Sequence, residues 1–452
     1  MARAVTGLPP PGPNWEDRLG VAGLYLLSMF GWFRIAGHNV GMGIALLAFL
    51  LQARRWHALS ARAVVGITLV LAAYLMGRAW LGAVRIPSAA DAIREGLGDW
   101  LLLLMFLPIA WHVAGSLRRL TTVWLLALAG LLVGLAGYLD ADTLGQALEG
   151  TRTGFHLKKP IAFSLYSGTA VLVLLLLAPR CWGRDHAPRR QRWLRVTAWL
   201  VVVLVLVEAM LLTQSRGGWL GMVAVLPVAL WVRYRPLLGA GGPARGRLVL
   251  LSLVGALLAG LLVAGNYPGM RDRLLSESAT VDSVTSTGLE SAPLTSISYR
   301  LWLWRLGSER WLERPLIGWG PGTSAHLIAE TRTPGTINER GVPFDHLHST
   351  PIELLVQLGL VGAGLFSVLL VTLLREARRA YRAGLLPTDY YVAIMSSYAF
   401  TGVWSLFDYR LIHYDWRFHF WLLAVSSVAL TLRHPPQDGP IHGQVPGHHR
   451  AG

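Results

Sequence analysis

The stretch GVPFDHLHSTPIELLVQLGLVG, residues 341–362, joins a polar segment to the start of a long apolar run. Two histidines, His346 and His348, stand just before Pro351, and the helix-like run after this proline continues to about residue 374. The histidines are therefore predicted at the point where a polar loop re-enters a membrane. Histidine accepts a proton near neutral pH, which suits chemistry at a water–lipid boundary on a lipid-borne substrate.

The whole chain has the composition of a membrane protein. Of its 452 residues, 53% are hydrophobic and 15% are charged, and the mean hydropathy is +0.46. A soluble protein carries nearer a quarter of charged residues, and the apolar runs here approach the roughly 20 residues that span a bilayer. We therefore expect an all-α polytopic membrane protein with about twelve transmembrane helices. The predicted spans cover residues 19–33, 37–53, 61–79, 98–115, 121–138, 160–178, 193–212, 217–233, 247–264, 351–374, 389–407 and 417–432.

The placement of arginine predicts how these spans are oriented. Arginines concentrate in the connections that follow even-numbered spans, and cytoplasmic loops are the ones enriched in arginine and lysine. Both termini are then cytoplasmic, and the other connections lie outside, in the periplasm if the cell has two membranes. This placement explains most of the formal net charge of +16, so we expect contact with membrane lipids and no nucleic acid.

One predicted connection is much longer than the others. Residues 265–350 form an outside loop that is long enough for a small helical cap. Residues 276–298, which are rich in serine and threonine, predict a solvated loop, whereas residues 299–315 predict an amphipathic helix along the membrane surface that ends at Pro315. The remaining parts are a cytoplasmic tail at 1–18, nine spans within 19–264, three spans within 351–432 and a disordered cytoplasmic tail at 433–452.

The only two lysines of the chain, Lys158 and Lys159, are adjacent. With Arg152 and His156 they form a basic cluster on the predicted outside, just before the sixth span. Outside loops normally avoid positive charge near a span, so binding of an anion such as phosphate would explain the cluster. Snorkelling of these side chains to lipid headgroups is the alternative.

Two arginines on the same predicted side are further candidates for phosphate binding. Arg216 lies in the tight turn LLTQSRGGWLGM, where a guanidinium is costly unless it is paired or faces a wet cavity. Arg300 opens the amphipathic segment, with Trp304 one turn later on the same face and Arg305 as a further substrate-binding candidate. An interfacial anchor or a salt bridge is the alternative for Arg216, and simple exposure to water is the alternative for Arg300.

The two histidines allow more than one interpretation. The H-x-H spacing of His346 and His348 is a weak metal signal without a second carboxylate cluster nearby, so no metal site is predicted. A general base at the membrane edge is the functional interpretation, and a satisfied structural histidine is the alternative. Arg410, with His413 and Arg417, lies on the same predicted side and is a second-tier substrate-binding candidate.

Taken together, these residues predict an outward-facing cationic site with a candidate base beside it. Such a site fits transfer chemistry on a polyprenyl-diphosphate-linked substrate, because the diphosphate needs several cationic donors. Arginines can supply these without Mg²⁺, and the sequence has no acidic cluster outside that would favour a divalent ion. No cofactor is expected.

At these residues the chain resembles the O-antigen ligase and polymerase superfamily. The turn SRGGWLG, residues 215–221, looks like the family's Ser-Arg-Gly turn, and TGFHLKKPIAFS, residues 153–164, is similar to a weaker family segment. YRLWLWRLGSERWLERPLIGWGPGTS, residues 299–324, resembles an R-x3-W followed by P-x2-G-x-G, and HLHSTPIELLVQLGLVG, residues 346–362, resembles an H-x4-L-x5-G-x2-G ending. The resemblance covers roughly residues 150–375.

The resemblance implies metal-independent glycosyl transfer on the periplasmic face of the bacterial inner membrane, in a GT-C-like fold. Arg216 and Arg300 match arginines that engage the donor diphosphate, and His348 matches the essential histidine proposed to activate an acceptor hydroxyl. His346 occupies a variable position and is, with Trp304, a substrate-binding candidate. The family often has asparagine after the essential histidine, whereas this chain has Ser349, which leaves any hydrogen bond from that position open.

Within the superfamily, the resemblance favours an O-antigen ligase. Its donor would be an undecaprenyl-diphosphate-linked glycan and its acceptor lipid A-core. A repeat-unit polymerase is the alternative, although such enzymes often have a second arginine-rich outside loop. A transporter or flippase for an anionic lipid is an alternative of another class, but it would be expected to carry charges deep within its spans.

Overall fold

The computed structural model describes residues 14–52, 62–182, 188–238, 268–331, 333–338 and 340–432. Across these ranges the regular elements are helices, and Ile337 and Pro343 form an isolated antiparallel bridge. The predicted all-α class is therefore confirmed for the described part of the chain. The predicted tails at 1–18 and 433–452 lie wholly or mostly outside it.

The helices follow one another with short connections in most places. They are α1 (Trp15–Phe30), α2 (Ile35–Leu51), α3 (Ala63–Arg85), α4 (Ala90–Leu103), α5 (Phe106–Trp111), α6 (Leu117–Tyr138), α7 (Ala141–Leu148), α8 (Pro160–Leu176), α9 (Ala178–Trp182), α10 (Arg189–Leu212), α11 (Arg216–Leu238), α12 (Pro268–Thr287), α13 (Ser296–Glu313), α14 (Ser324–Thr331), α15 (Thr350–Arg382), α16 (Thr388–Ser405) and α17 (Tyr414–Val428).

Several of these helices have the length and apolar character of membrane spans. Among the described residues, 5 helices qualify, namely α3, α6, α10, α11 and α15, while α2 and α8 are apolar but shorter. These helices are consistent with a polytopic membrane protein. The total of twelve spans and the GT-C-like arrangement stay predictions, and the predicted ninth span at 247–264 lies outside the described residues.

The predicted span at residues 98–115 is wrong as a single helix. The chain instead forms α4 and then the short helix α5. A continuous helix would place Pro108, which has no N–H, where it should donate to the carbonyl of Leu104. The chain breaks just before this proline, where the N–H of Leu104 and that of Met105 also reach carbonyls three residues back, at 3.2 and 3.1 Å.

The predicted loop at residues 276–298 is wrong over its first half, because α12 continues to Thr287. The hydroxyls of Thr285, Ser286 and Thr287 donate to carbonyls four residues earlier, at 3.0, 2.6 and 2.8 Å. The serine- and threonine-rich stretch therefore satisfies its hydroxyls within the helix. These three side chains are exposed, in agreement with the predicted solvated character.

The core is built around α8 and α17. Both helices are buried on nearly all sides. This is expected for α8, which is apolar all round, whereas α17 also buries Asp415, Arg417 and His419. α8 packs against α10, α11 and α16, and α17 packs against α5 and α15. The hairpin of α1 and α2 joins this core through contacts of α1 with α6 and of α2 with α5.

Contacts between the connecting segments show which helix ends lie at the same end of the molecule. At one end, Arg119 pairs with Asp17 at 2.6 Å, and the guanidinium of Arg62 donates to the carbonyl of Thr431 at 2.8 Å. An ion pair of Arg180 and Asp389 lies at this end as well. The predicted topology places all these connections on one side of the membrane. The observed contacts agree with this grouping. Which end faces the cytoplasm stays a prediction.

α15 contains a break that interlocks it with the segment after α13. Gly359 has φ 65° and ψ −172°, a conformation that essentially only glycine adopts. The freed backbone pairs with residues 315–320: the N–H of Leu360 donates to the carbonyl of Pro315 at 2.9 Å, and that of Trp319 donates to the carbonyl of Val356 at 2.8 Å. Two of the quoted motifs, P-x2-G-x-G and G-x2-G, thus form one joint.

Candidate functional site

Four helices, α8, α11, α15 and α17, begin at the same end of the molecule, the end predicted to lie outside. The indole N–H of Trp404 donates to the carbonyl of Ile161 at 3.0 Å, and the hydroxyl of Thr350 donates to the carbonyl of Asp408 at 2.8 Å. These bonds hold the start of α8 against the end of α16, and the start of α15 against the connection between α16 and α17. Helix N-termini carry partial positive charge, so this end of the molecule favours anions.

The backbone of His348 is fixed from both sides. Its φ is 51°, in the left-handed region that non-glycine residues rarely adopt. Its N–H donates to Nδ1 of His346 at 3.2 Å, and its carbonyl accepts from the indole N–H of Trp304 at 3.4 Å. His346 and Trp304, two of the predicted substrate-binding residues, thus both contact the backbone of His348, and their binding of substrate stays a prediction.

Glu353 also fixes the loop that contains His348. Its carboxylate accepts the N–H of Leu347 at 2.9 Å and the side-chain amide of Gln357 at 2.8 Å, and the residue is almost completely buried. Sequence reasoning missed this residue. The available signal was an ionisable side chain inside an otherwise apolar run, which is costly unless it has a task.

Asp408 is the second residue that sequence reasoning missed, and it contacts the candidate base directly. Its Oδ1 lies 3.1 Å from Nδ1 of His348, and its carboxylate is almost fully buried. Burial alone would raise the pKa of Asp408, but the hydrogen bond from His348 and the charges of His346, His348 and Arg410 outweigh it, and the pKa is lowered. The available signal was a carboxylate two residues before Arg410 in a connection predicted to lie outside.

This pair gives the imidazole of His348 a defined chemical role. An ionised carboxylate only accepts hydrogen bonds, so we assign the proton of the neutral ring to Nδ1. Nε2 then carries a lone pair, and no described residue forms a hydrogen bond with it. The side chain is 22% exposed, so a substrate hydroxyl can reach it. This is the arrangement of a histidine base oriented by a carboxylate.

Arg300 is linked to the pair of His348 and Asp408 by a hydrogen bond to the backbone of Phe407. Its Nε donates to the carbonyl of Phe407 at 3.3 Å, and its Nη1 donates to the hydroxyl of Ser296 at 2.6 Å. Burial lowers the pKa of Arg300 while the charge of Asp408 raises it, and arginine stays charged throughout. The carbonyl of Phe407 therefore brings Arg300 to the residue that precedes Asp408.

The turn that contains Arg216 also contacts Phe407. A methyl group at Gly217 would lie 3.4 Å from Cβ of Phe407, so the start of α11 packs against this residue. Arg152 joins the turn from the loop before α8, where its Nε donates to the carbonyl of Thr213 at 3.0 Å. The structure thus brings Arg152, Arg216 and Arg300 to one end of the molecule, which is also the end that holds His348 and Asp408.

The two lysines have different surroundings. Lys158 is almost fully buried; its ammonium lies 3.8 Å from the carboxylate of Asp415 and donates to the hydroxyl of Tyr414. Lys159 is exposed. Burial is the largest influence that lowers the pKa of His413, and the charge of Lys159 lowers it further. Of the pair, Lys159 is the one placed to meet an anion from solvent.

Two of the predicted substrate-binding arginines are held in ion pairs. Arg410 is buried and donates to both carboxylate oxygens of Asp415, at 3.2 and 3.1 Å. Arg305 is exposed and pairs with Glu309 at 3.1 Å and with Glu290 at 3.5 Å. Five residues separate Arg305 from Arg300, so the two side chains leave α13 on different faces. The structure does not bring Arg305 to the site.

His346, His348 and Asp408 each offer one ligand atom, and these atoms lie within 4.8 Å of one another. The donor types suit a transition metal such as zinc. However, Nδ1 of His348 is engaged with Asp408, and Nδ1 of His346 accepts the N–H of His348. These contacts favour a hydrogen-bonded group of side chains over a set of metal ligands. The prediction that no metal is needed stays a prediction.

Comparison with known proteins agrees with the motifs. Residues 200–367 match the family described as O-antigen ligase (Wzy_C), and no curated protein matches the chain. The matched segment contains Arg216, Arg300, Trp304, His346 and His348, whereas Arg152, the lysine pair, Asp408 and Arg410 lie outside it. The match supports the predicted superfamily over this segment of the chain, and members of the matched family are glycosyltransferase-like membrane enzymes of ligase or polymerase type.

Proposed function

We propose that this chain, a member of the O-antigen ligase and polymerase superfamily, transfers a glycan from a polyprenyl diphosphate to an acceptor hydroxyl at the outer boundary of the membrane. The observation that carries the proposal is the contact of His348 with the buried carboxylate of Asp408, at 3.1 Å. This contact leaves Nε2 as a proton acceptor on a partly exposed ring. A family match alone would not assign a base.

The proposed reaction is a displacement at the anomeric carbon. The acceptor hydroxyl gives its proton to Nε2 of His348, and its oxygen forms a bond to the anomeric carbon of the donor sugar. The bond from this carbon to the diphosphate oxygen breaks, and the polyprenyl diphosphate leaves as an anion. Negative charge develops on the leaving group, so cationic donors placed in advance stabilise the transition state.

Arg216 and Arg300 are the proposed ligands of the diphosphate. Both lie at the end of the molecule where four helices begin, and the N-terminus of α11 is at Arg216 itself. A guanidinium donates to two phosphate oxygens in one plane, which orients the diphosphate as well as neutralising it. Lys159 and Arg152 are proposed to extend this cationic surface toward the glycan side.

The proposed reaction needs no metal ion, because arginines and helix N-termini take over the neutralisation of the diphosphate. Chelation with EDTA should leave transfer unchanged when purified protein is assayed with lipid-linked donor and acceptor. Loss of activity with EDTA and recovery with Zn²⁺ or Mg²⁺ would instead make His346, His348 and Asp408 the first residues to test as ligands.

Within the superfamily we propose the ligase reaction, with an undecaprenyl-diphosphate-linked O-antigen as donor and lipid A-core as acceptor. The support is the single dominant outside connection before α15, which supplies Arg300 and His348. A repeat-unit polymerase uses the same donor chemistry with a second lipid-linked glycan as acceptor. The two reactions therefore differ in the acceptor and not in the proposed base.

Complementation of a ligase-null strain tests the proposal. Wild type should restore polymer-capped lipid A-core, and His348→Ala, Arg216→Ala and Arg300→Ala should each fail while the protein level stays normal. Arg305→Ala is the matched control, because this arginine lies on the same helix as Arg300 but is exposed and paired with glutamates. It should complement.

Each result has a distinct meaning. Full complementation by the His348, Arg216 and Arg300 variants would refute the site. Longer O-chains without ligation by the wild type would replace ligase with polymerase. Movement of an intact lipid-linked glycan across vesicles, without release of polyprenyl diphosphate, would replace both with a transporter.

A further inference from the structure

A second group of arginines lies at the far end of α13. An open cleft of about 450 Å³ is lined by Arg85, Arg314, Pro315, Leu316 and Ile317. Arg85 ends α3 and Arg314 follows α13, so the cleft lies on the same predicted side of the membrane as His348. With a rise of about 1.5 Å per residue, Arg314 lies about 20 Å along α13 from Arg300. The cleft is therefore separate from the candidate catalytic site.

A third arginine lies beneath the cleft. Arg78 is 4% exposed, and it donates from Nε to the carbonyl of Ile317 at 2.7 Å and from Nη2 to the carbonyl of Gly318 at 2.8 Å. Its Nη1 is buried and has no hydrogen-bond partner among the described residues. A buried unpaired donor on a charged group is costly, and an anion bound nearby would reduce that cost.

Arg314, which lines the cleft, also has unused hydrogen-bonding capacity. Nη1 of Arg314 is likewise buried without a partner in the described structure, while its guanidinium stacks 3.8 Å from the centroid of the Trp319 ring. Burial and the positive charge of Arg85 lower the pKa of Arg314, and Glu313 opposes them. Glu313 itself is engaged with Arg310 at 3.0 Å. The charges of Arg85 and Arg314 also act on Arg78, so three guanidinium groups lie near one another with little local negative charge.

The surroundings of the cleft favour an anion carried by a lipid. Leu316 lines the cleft and is exposed, and Trp80 and Val84 are exposed on the last turns of α3. α3 is one of the helices long and apolar enough to cross a membrane, so we expect these exposed side chains near its end to contact lipid at the membrane boundary. An anionic headgroup in the cleft would have apolar protein surface directly beneath its chains.

We propose that Arg85 and Arg314, supported by Arg78, form a second anion-binding site that takes a phosphate group of a membrane lipid. The shared chemistry is a lipid-borne phosphate, and its source is either a phosphorylated glycolipid or a bulk phospholipid. The glycolipid is the source that the geometry favours, an assignment that rests on the proposed function. An acceptor anchored at Arg314 can extend its saccharide along α13 toward His348 while the donor diphosphate occupies Arg216 and Arg300.

Binding to purified full-length protein, measured by native mass spectrometry, tests this site. The probes are diphosphorylated lipid A, the same lipid without phosphates, and phosphatidylglycerol. We expect wild type to retain diphosphorylated lipid A at least ten times better than the dephosphorylated form. Arg85→Gln combined with Arg314→Gln should lose this preference. Arg94→Gln, which removes an exposed arginine that is paired with Asp91, should keep it.

The outcomes separate the inference from the proposed function. Equal binding of the two lipid A forms by wild type, or unchanged binding by the double variant, would overturn the site. Arg85→Gln alone supplies the same test if the double variant does not fold, because Arg85 is exposed. Displacement by an equal concentration of phosphatidylglycerol supports a phosphate site for bulk lipid and removes the acceptor assignment. His348→Ala should bind as wild type and transfer no glycan. Wild type that binds diphosphorylated lipid A but transfers no glycan to it would refute only the proposed function.

Discussion

His348 is in contact with three kinds of neighbour that each set one of its properties. Asp408 sets the position of the ring proton, His346 accepts the backbone N–H, and Trp304 binds the backbone carbonyl. Burial is the largest influence that lowers the pKa of His346, and the charge of His348 lowers it further, so His346 stays neutral at physiological pH. A neutral imidazole can accept the N–H of His348, whereas a protonated one cannot.

The first prediction concerns the orientation of His348. Asp408→Asn replaces an acceptor with a group that can donate to Nδ1, which would move the ring proton to Nε2 and remove the base. We expect the rate of transfer to fall by about 10²- to 10⁴-fold, as for other carboxylate–histidine pairs, with little change in donor affinity. Single-turnover transfer and donor binding measured on the same purified variant check this.

Asp345→Asn is the control for that substitution. Asp345 lies 3.4 Å from Nε2 of His346, but its side chain is 63% exposed and it does not contact His348. Its change should alter the rate by no more than a few-fold. An Asp408→Asn variant with wild-type single-turnover rate would contradict the role of Asp408.

The second prediction concerns Lys158 and follows from its burial. Burial, opposed by the charge of Asp415, lowers the pKa of Lys158 to about 8 from the 10.5 of an exposed lysine. Between these values the unfolded chain binds the proton and the folded chain does not, so this group makes the fold more stable as pH rises. Lys158→Met removes the dependence. The melting temperature of wild type relative to the variant should therefore rise from pH 7.5 to pH 10.

Lys159→Met is the matched control for that measurement, because the neighbouring lysine is exposed. Each variant is compared with wild type at the same pH, so titration of all other groups cancels. A difference between wild type and Lys158→Met that stays flat or falls with pH would show that folding does not lower the pKa of Lys158.

At the scale of elements, the joint between α15 and residues 315–320 relates the two arginine sites to each other. α13 runs from the candidate catalytic site to the cleft, and its end is fastened to the break in α15 by backbone hydrogen bonds. Tyr74 and Arg78 of α3 add bonds to Leu358 at 2.6 Å and to Ile317 at 2.7 Å. A rigid joint here keeps the loop with His348, at the start of α15, in register with Arg300.

The third prediction tests this joint. A methyl group at Gly359 would lie 2.4 Å from backbone atoms of Leu316 and Ile317, and φ there is 65°. Gly359→Ala should therefore lower the free energy of unfolding by at least about 2 kcal/mol through strain and steric overlap. The melting temperature and the yield of monodisperse protein in detergent check this.

Gly364→Ala on the same helix is the control for the joint. A methyl group there meets no atom within 4 Å, and alanine is the better helix former by up to about 1 kcal/mol. Gly364→Ala should be neutral or stabilising. If both alanine variants melt together with wild type, the break in α15 is not rigid.

The sequence was sufficient for some of these features and insufficient for others. Apolar runs predict helices well, because burial or lipid contact follows directly from composition, and α3, α6, α10, α11 and α15 were all anticipated. Pro108 split a predicted span because one missing N–H outweighs the apolar character of the run. Asp408 lies 60 residues from His348 in sequence, so their contact depends on how α15, α16 and α17 pack and no local pattern reveals it.

For the molecule as a whole, the two ends differ in whether their charged side chains are exposed or buried. One end carries exposed arginines and pairs such as Arg119 with Asp17. The other end buries Lys158, Arg410 and Asp415 together in one group between the loop before α8 and the start of α17. Buried charges of this kind cost free energy unless they are paired. Their concentration at the end with four helix N-termini agrees with a site built to bind a large anion.

The fourth prediction assigns the two ends to the two sides of the membrane. Cys181, the only cysteine, is replaced by serine, and single cysteines are placed at Arg305 and Arg382, which are exposed at opposite ends of the molecule. The excess of arginine in the connections near Arg382 predicts a cytoplasmic location. Arg305→Cys should react with a membrane-impermeant maleimide in cells whose outer membrane has been opened, whereas Arg382→Cys should react only after lysis. The reverse pattern would place His348 in the cytoplasm, where the proposed acceptor would be on the wrong side of the membrane.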